Sequence, residues 1–225
     1  STNQSKFGGS SLYFDGSGDY LTVADSDDFD IGSSDFTLEA WVYLTGYSAN
    51  YNGYYLAQIL AKDSGSTGRS LTFAINGTSS SWTSVDVSLF ASTSPVVTVG
   101  NTGSFNFSLN TWYHVAAVRN GTSVRLYVNG NDVGGGTNSI NAASTTTSLT
   151  IGAEDPFYQA QGYAYWFPGY IDDLRITKGV ARYTSDFTPP TESFSSPSTG
   201  FDSYFFYDSL LLRGNGTNGS TAMLD

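Results

Sequence analysis

Apolar and polar positions alternate along much of this chain. In Phe36-Thr37-Leu38-Glu39-Ala40-Trp41-Val42-Tyr43-Leu44, the residues Phe36, Leu38, Ala40, Val42 and Leu44 share one face, and Glu39, Trp41 and Tyr43 share the other. A period of two belongs to an extended strand, whose successive side chains point to opposite sides. Residues 112–119 alternate less cleanly, and Val115-Ala116-Ala117-Val118 predicts a strand buried on both faces. Val124-Arg125-Leu126-Tyr127-Val128 runs into Asn129-Gly130. That pair suits a type I′ hairpin turn, in which both central residues take positive φ. Further strands are predicted at 12–14, 20–23, 56–62, 70–75, 96–99, 149–151, 170–177 and 204–212, separated by clusters of Gly, Ser, Asn and Thr that read as turns and loops. Trp82 falls in one such Ser-rich loop. No segment sustains a 3.6-residue period; Val180-Ala181-Arg182-Tyr183 predicts a single helical turn that stops before Pro189-Pro190. Many short strands without interleaved helices predict an all-β protein, an antiparallel two-sheet β-sandwich of the jelly-roll kind.

With 225 residues the chain has the length of one ordinary domain, enough for a core that needs no disulfide. Residues 7–194 read as the sandwich domain and 195–225 as a linker with a C-terminal strand, because Pro and Ser concentrate from Thr188 to Gly200. The tail sequence Ser209-Leu210-Leu211-Leu212-Arg213-Gly214-Asn215-Gly216 echoes Ser11-Leu12-Tyr13-Phe14-Asp15-Gly16-Ser17-Gly18. Three readings stand: chance, the opening of a next tandem unit, or a strand that pairs within the domain or with a neighbouring chain's sheet edge.

Composition removes several function classes. There is no Cys, so thiol nucleophiles and Cys-based zinc sites are excluded. The net charge of −11 excludes the basic footprint of a nucleic-acid binder or a polybasic membrane patch. Aromatic residues make up 16%, which is unlike a disordered acidic chain. His114 is the one histidine, so a multi-His metal site cannot form. No apolar run reaches the ~18 residues of a membrane-spanning helix. The chain starts without Met or a leader pattern and is expected to be a mature form or an excised fragment, with an extracellular, cell-surface or virion location suggested by composition.

The stretch Ser11-Leu12-Tyr13-Phe14-Asp15-Gly16-Ser17-Gly18-Asp19-Tyr20-Leu21 resembles the opening of laminin-G-like, concanavalin-A-like jelly-roll domains, and Phe36-Thr37-Leu38-Glu39-Ala40-Trp41-Val42 resembles their next core strand. Trp112-Tyr113-His114-Val115-Ala116 with Val124-Arg125-Leu126-Tyr127-Val128-Asn129-Gly130 is similar to the central hairpin. Leu149-Thr150-Ile151-Gly152 and Gly169-Tyr170-Ile171-Asp172-Asp173-Leu174-Arg175-Ile176 are similar to the closing strands. The likeness extends over about residues 10–194. The continuation from Thr177 to Tyr183, with Phe187-Thr188-Pro189-Pro190, is similar to variants in phage tail fibre and bacterial surface proteins. The resemblance implies two curved antiparallel sheets whose concave face or rim loops bind carbohydrate or protein. It does not assign a function by itself.

The resemblance also implies a structural calcium ion between the N-terminal strand and the last strand, with Asp15 and Asp173 as first candidates and Asp19 and Asp172 as second. Calcium takes six to eight oxygens from irregular loops. The competing reading gives Asp15 an Asx turn and Asp173 a cap or a pairing with Arg175 or Arg125. Asp25-Ser26-Asp27-Asp28-Phe29-Asp30 fails as an EF-hand, because Ser33 stands where Gly is required, and reads as a solvated loop. Candidate ligand-binding residues are Tyr51, Tyr54, Tyr158, Tyr163, Tyr165 and Trp166, since two irregular Tyr-rich segments put stacking rings beside Asn and Gln. Trp82 is a weaker platform. The competing reading is that Tyr165, Trp166 and Phe167 merely cover one end of the sandwich. A glycosidase is not expected: retaining hydrolysis needs two carboxyl groups ~5 Å apart, and Glu39, Glu154 and Glu192 are widely spaced. His114 lies within a strand without a nucleophile elbow and reads as structural. Six Asn-x-Ser/Thr sequons, at Asn3, Asn76, Asn106, Asn120, Asn215 and Asn218, matter only in a eukaryotic secretory pathway. Taken together the sequence predicts a non-catalytic recognition or adhesion module of a surface or virion fibre protein. It would bind glycan or a partner protein through aromatic end loops, without nucleic acid or membrane insertion. The alternative is a structural subunit or spacer that self-associates through strand pairing or tandem repetition.

Overall fold

The computed structural model describes residues 1–47, 55–63, 68–91, 96–100, 105–154, 159–160, 165–194 and 204–214. Among the described residues thirteen strands form two antiparallel sheets. The strands are β1 (Leu12–Asp15), β2 (Leu21–Val23), β3 (Phe36–Leu44), β4 (Tyr55–Lys62), β5 (Leu71–Thr78), β6 (Ser81–Phe90) and β7 (Val96–Gly100), then β8 (Trp112–Asn120), β9 (Ser123–Val128), β10 (Asn131–Thr137), β11 (Leu149–Ile151), β12 (Pro168–Lys178) and β13 (Asp208–Leu212). The first sheet has the order β1-β12-β3-β8-β9-β10, with β13 also on β12; the second has the order β2-β11-β4-β5-β6-β7. The fold is an all-β, antiparallel two-sheet sandwich.

The inward set of each strand builds the core between the sheets: Phe36, Leu38, Ala40, Val42 and Leu44 of β3 meet Phe73, Ile75, Val85, Val87 and Leu89 of the second sheet. Two strands lie where the sequence reading placed none. β6 begins inside the Ser-rich stretch, and β10 is Gly-rich. β10 tolerates its glycines because β9 passes so close that a Cβ on Gly135 would sit 2.1 Å from the Val124 carbonyl oxygen.

The central strands β3, β8 and β12 of the first sheet are buried on both faces over most of their length. Glu39 is 0% and Trp41 5% exposed. A strap after β12 lays Ala181, Tyr183 and Phe187 over Ala116, Val118 and Tyr127. The Tyr183 and Phe187 rings stack at 3.5 Å. From the N-terminus, the Lys6 ammonium lies 3.8 Å over the Trp41 ring. The strap forms no helical turn, contrary to the expectation for 180–183. Thr37 instead fixes it as irregular chain, donating to the Val180 carbonyl at 3.0 Å and accepting from the Arg182 N–H at 2.9 Å.

Under the strap lies an ionic network. Arg175 Nε and Nη2 donate to Glu39 Oε1 at 2.9 and 2.6 Å. Glu39 Oε2 accepts from the Tyr183 hydroxyl at 2.8 Å and lies 3.1 Å from His114 Nε2. A carboxylate can only accept, so His114 carries its proton on Nε2. His114 is thus structural, and Arg182 extends the network to Thr177 and Asp208.

The tail strand β13 pairs with β12 of its own chain, Leu212 opposite Leu174 and Asp208 opposite Thr177. It shares that edge with β1, whose Leu12 faces Ile171. The two run end to end, joined where Ser10 Oγ donates to the Gly214 carbonyl at 2.7 Å. Among the described residues no helix is long and apolar enough to cross a membrane.

Candidate functional site

The outer face of the second sheet carries the chemistry that alternation keeps out of the core. Leu71, Phe73 and Ile75 of β5 point inward, so Thr72, Ala74 and Asn76 point outward. Val85, Val87 and Leu89 of β6 point inward, so Asp86, Ser88 and Phe90 point outward. The register sets Ala74 between Gln58 of β4 and Asp86 of β6, and sets Thr72 beside Ser88. Short side chains in the middle and longer ones around them leave a cavity of about 280 Å³, also lined by Leu56, Arg69, Glu154 and Tyr165. That is close to the ~300 Å³ lower end of small-molecule sites.

Neighbours hold the polar groups of this groove in place. Asp86 Oδ2 accepts from Asn76 Nδ2 at 2.7 Å, and Oδ1 accepts from Ser84 Oγ at 2.9 Å. Burial pushes the Asp86 carboxyl above its ordinary pKa, and those two donors offset part of the rise. The carboxylate fits because Gly100 lies opposite: a Cβ there would sit 2.7 Å from Asp86 Oδ1. At one end the Arg69 guanidinium stacks 4.0 Å over the Phe90 ring and forms an ion pair with Asp63. At the side, the Tyr165 carbonyl accepts from the Gln58 N–H at 3.1 Å. Tyr165 has φ +44°, a left-handed conformation that costs a bulky residue energy and marks a constrained position. An oriented carboxylate and amide beside an aromatic wall suit a ligand rich in hydroxyl groups.

The residues singled out from sequence divide around this groove. Tyr165 lines it. Trp166 does not; its ring packs against Tyr20 at a centroid distance of 6.0 Å. Tyr51, Tyr54, Tyr158 and Tyr163 lie outside the described residues. Trp82 is not a platform: it is 0% exposed, belongs to the core, and donates Nε1–H to the Gly46 carbonyl at 2.9 Å.

The four candidate calcium ligands form two separate pairs. Asp15 Oδ1 accepts from the Ser17 N–H at 2.7 Å, an Asx turn, and Asp19 Oδ2 accepts from the Asp15 N–H at 3.1 Å. Asp15 faces Pro168 on β12, four residues before Asp172, or roughly 13 Å along the strand. Asp172 accepts from the N–H groups of Lys6, Phe7 and Asp173 at 2.9, 3.1 and 3.0 Å. Asp173 accepts from the Ser193 hydroxyl at 2.8 Å and the Phe194 N–H at 2.7 Å. Its partners are therefore these groups rather than Arg125, which pairs with Asp132. Burial raises the Asp172 carboxyl to about 7. Among the described residues no group of three or more His, Asp or Glu side chains is placed to hold a metal ion. Asp172 and Asp173 thus direct their oxygens at N–H and hydroxyl groups of their own chain. EDTA treatment followed by a thermal scan tests the calcium expectation, and an unchanged melting temperature would dispose of it. A fall on chelation, reversed by added calcium, would instead establish a structural cation.

In the acidic stretch at 25–30, Asp27 and Asp28 are exposed as expected of a solvated segment, while Asp25 and Asp30 meet a buried cation. Lys62, 0% exposed, donates from Nζ to Asp25 and Asp30 at 2.8 Å each and to the Thr145 carbonyl at 2.7 Å. The chain's own ammonium thus pairs with two of the four aspartates of this stretch.

Comparison with known proteins places the fold. The family model described as "Concanavalin A-like lectin/glucanases superfamily", of laminin-G type, matches residues 15–182. The chain belongs to that superfamily. No curated protein sequence matches this superfamily member. Among solved structures, a candidate carbohydrate-binding protein from Bacteroides ovatus aligns with TM-score 0.60 at 17% identity, over 88% of this chain and 50% of its own. The chain thus spans half the length of that protein. Domain 4 of AbnA, an extracellular arabinanase from Geobacillus stearothermophilus solved with arabinotriose, aligns with TM-score 0.51 at 17% identity, over 75% of this chain and 70% of the domain. A heptameric pentraxin from Limulus polyphemus aligns with TM-score 0.50 at 16% identity, over 75% and 76% of the two chains. At such identities these likenesses concern the concanavalin-A-like fold alone.

Asn76, Asp86, Arg69, Phe90, Gln58 and Glu154 of this concanavalin-A-like groove are absent from the sequence-based candidates. Val85, Val87 and Leu89 alternate with Asp86, Ser88 and Phe90, and that period of two was the available signal for β6.

Proposed function

We propose that this chain is a non-catalytic carbohydrate-recognition module that takes a short stretch of glycan into the groove of the second sheet. The observation that carries the reading is the oriented Asn76–Asp86 pair beside Tyr165 over the low floor of Thr72, Ala74 and Ser88. Sugar hydroxyls pair with carboxylate and amide groups, and sugar C–H faces lie against rings. A pair held by its own neighbours loses little side-chain freedom when a ligand arrives. The description of the Bacteroides protein as carbohydrate-binding and the arabinotriose bound to the Geobacillus domain support the reading. The non-catalytic part is supported by the absence, from the whole sequence, of the spaced acidic run on one strand that glycosidases of this fold use. A groove of this size gives modest affinity per module, which a surface or fibre protein would raise by multivalency.

A glycan array probed with the purified chain tests this directly. At least one oligosaccharide should bind, with no release of reducing sugar on incubation. Asp86→Ala, with its circular dichroism unchanged, should weaken that binding at least about tenfold, or ~1.4 kcal/mol. Binding to no glycan, or binding indifferent to Asp86→Ala and Asn76→Ala alike, would refute the assignment.

A further inference from the structure

The charges around the groove carry a selectivity that the fold does not specify. Asp86 and Glu154 line it, while Arg69 is the one cation among its lining residues and already faces Asp63. The whole sequence has nine Lys and Arg. The other eight are outside the lining, and several are tied to distant partners, such as Lys62 with Asp25 and Asp30. The stretches outside the described residues contain no Lys, Arg or His. No basic side chain is therefore available from them to meet an anion seated in the groove. The formal charge of −11 adds a long-range field of the same sign.

We propose that the groove selects uncharged glycans and rejects acidic ones, with Asp86 as the residue that sets the difference. The inference rests on the carbohydrate reading of the same site. An uncharged sugar meets Asp86 as an acceptor for its hydroxyls. A uronate or sialate carboxylate brings a like charge towards an acceptor that cannot turn away, because Asn76 and Ser84 hold both its oxygens. Two carboxylates a few ångströms apart in a partly dry groove repel far more than in bulk water. Discrimination here comes from repulsion of the wrong ligand as much as from attraction of the right one.

The test uses the full chain and pairs of probes that share a backbone: neutral oligosaccharides from the array, including arabinotriose, and the same or matched oligosaccharides carrying one uronate or sialate. Titration calorimetry at low and at physiological salt should show the acidic partner at least tenfold weaker, with the gap narrowing as salt rises. Asp86→Asn should weaken the neutral probe and, at the same time, shrink the gap to about threefold or less. Acidic and neutral probes binding alike to the unaltered chain, or Asp86→Asn lowering both without changing their ratio, overturns the selectivity while leaving the carbohydrate reading intact. Failure of every probe to bind overturns both.

Discussion

Replacing Glu39 with alanine should destabilise the folded chain by about 3–5 kcal/mol, the usual cost of removing one partner from a buried ion pair. The cost comes from what remains. The Arg175 guanidinium, with 5% of its side chain exposed, would keep its charge beneath the strap and lose its two bonds to Oε1. The Tyr183 hydroxyl and His114 Nε2 would lose their acceptor in the same step. Because Tyr183 stacks on Phe187, loss of the carboxylate should also loosen the strap. Urea unfolding followed by tryptophan fluorescence measures the change, and a cost under about 1 kcal/mol would show that water reaches the network. The same residue predicts acid behaviour. Burial pushes its carboxyl upward, but Arg175 and then His114 more than reverse this and hold it at about 2, against an ordinary 4.5. As pH falls, the unfolded chain therefore binds this proton first. The stabilisation is complete above about pH 4.5 and is lost progressively towards pH 2. The full shift corresponds to about 3 kcal/mol. Glu39→Gln should flatten that part of the stability–pH curve.

Trp82→Ala should cost a similar ~3–5 kcal/mol, for a different reason. Trp82 is the largest fully buried side chain among the described residues, at 0% exposure, and its removal leaves a cavity that the flanking strands can only partly close. It also deprives the Gly46 carbonyl of its Nε1–H donor at 2.9 Å. The main chain at Trp82 is boxed in as well, with its carbonyl accepting from the Phe107 N–H at 3.0 Å and its Cα 2.9 Å from where a Gly77 Cβ would lie. Trp82→Phe retains most of the volume and should cost clearly less. A surface platform would behave otherwise, since exposed substitutions usually stay within ~0.5 kcal/mol. A near-neutral Trp82→Ala would therefore return this residue to the surface. β6 also carries Asp86, so loosening its start should weaken glycan binding in proportion to the local loss of order.

The difference between these two residues shows how far reading along the chain reaches. Glu39 was placed correctly in its strand, on the face opposite Phe36 and Leu38, but nothing along the chain marked that face as buried. What buries it is a strap 144 residues away in sequence at Tyr183 and a β12 arginine 136 residues away. Trp82 was misplaced because serines around it resemble a loop, although Val85, Val87 and Leu89 keep strand period. The Lys62 ammonium, buried against Asp25 and Asp30, ran against the expectation that a lysine stays at the surface.

Alternation of side chains is a local property, and it was enough to determine the all-β class, the sandwich and most of the strands, because each strand must keep its own apolar face out of water wherever it is placed. The groove is not local. Gln58, Asn76, Asp86 and Tyr165 become neighbours through the registers of β4, β5 and β6 and the main-chain bond from Gln58 to Tyr165. Register and sheet order follow from how whole strands pack together, so which outward residues share one surface was decided by the tertiary structure alone.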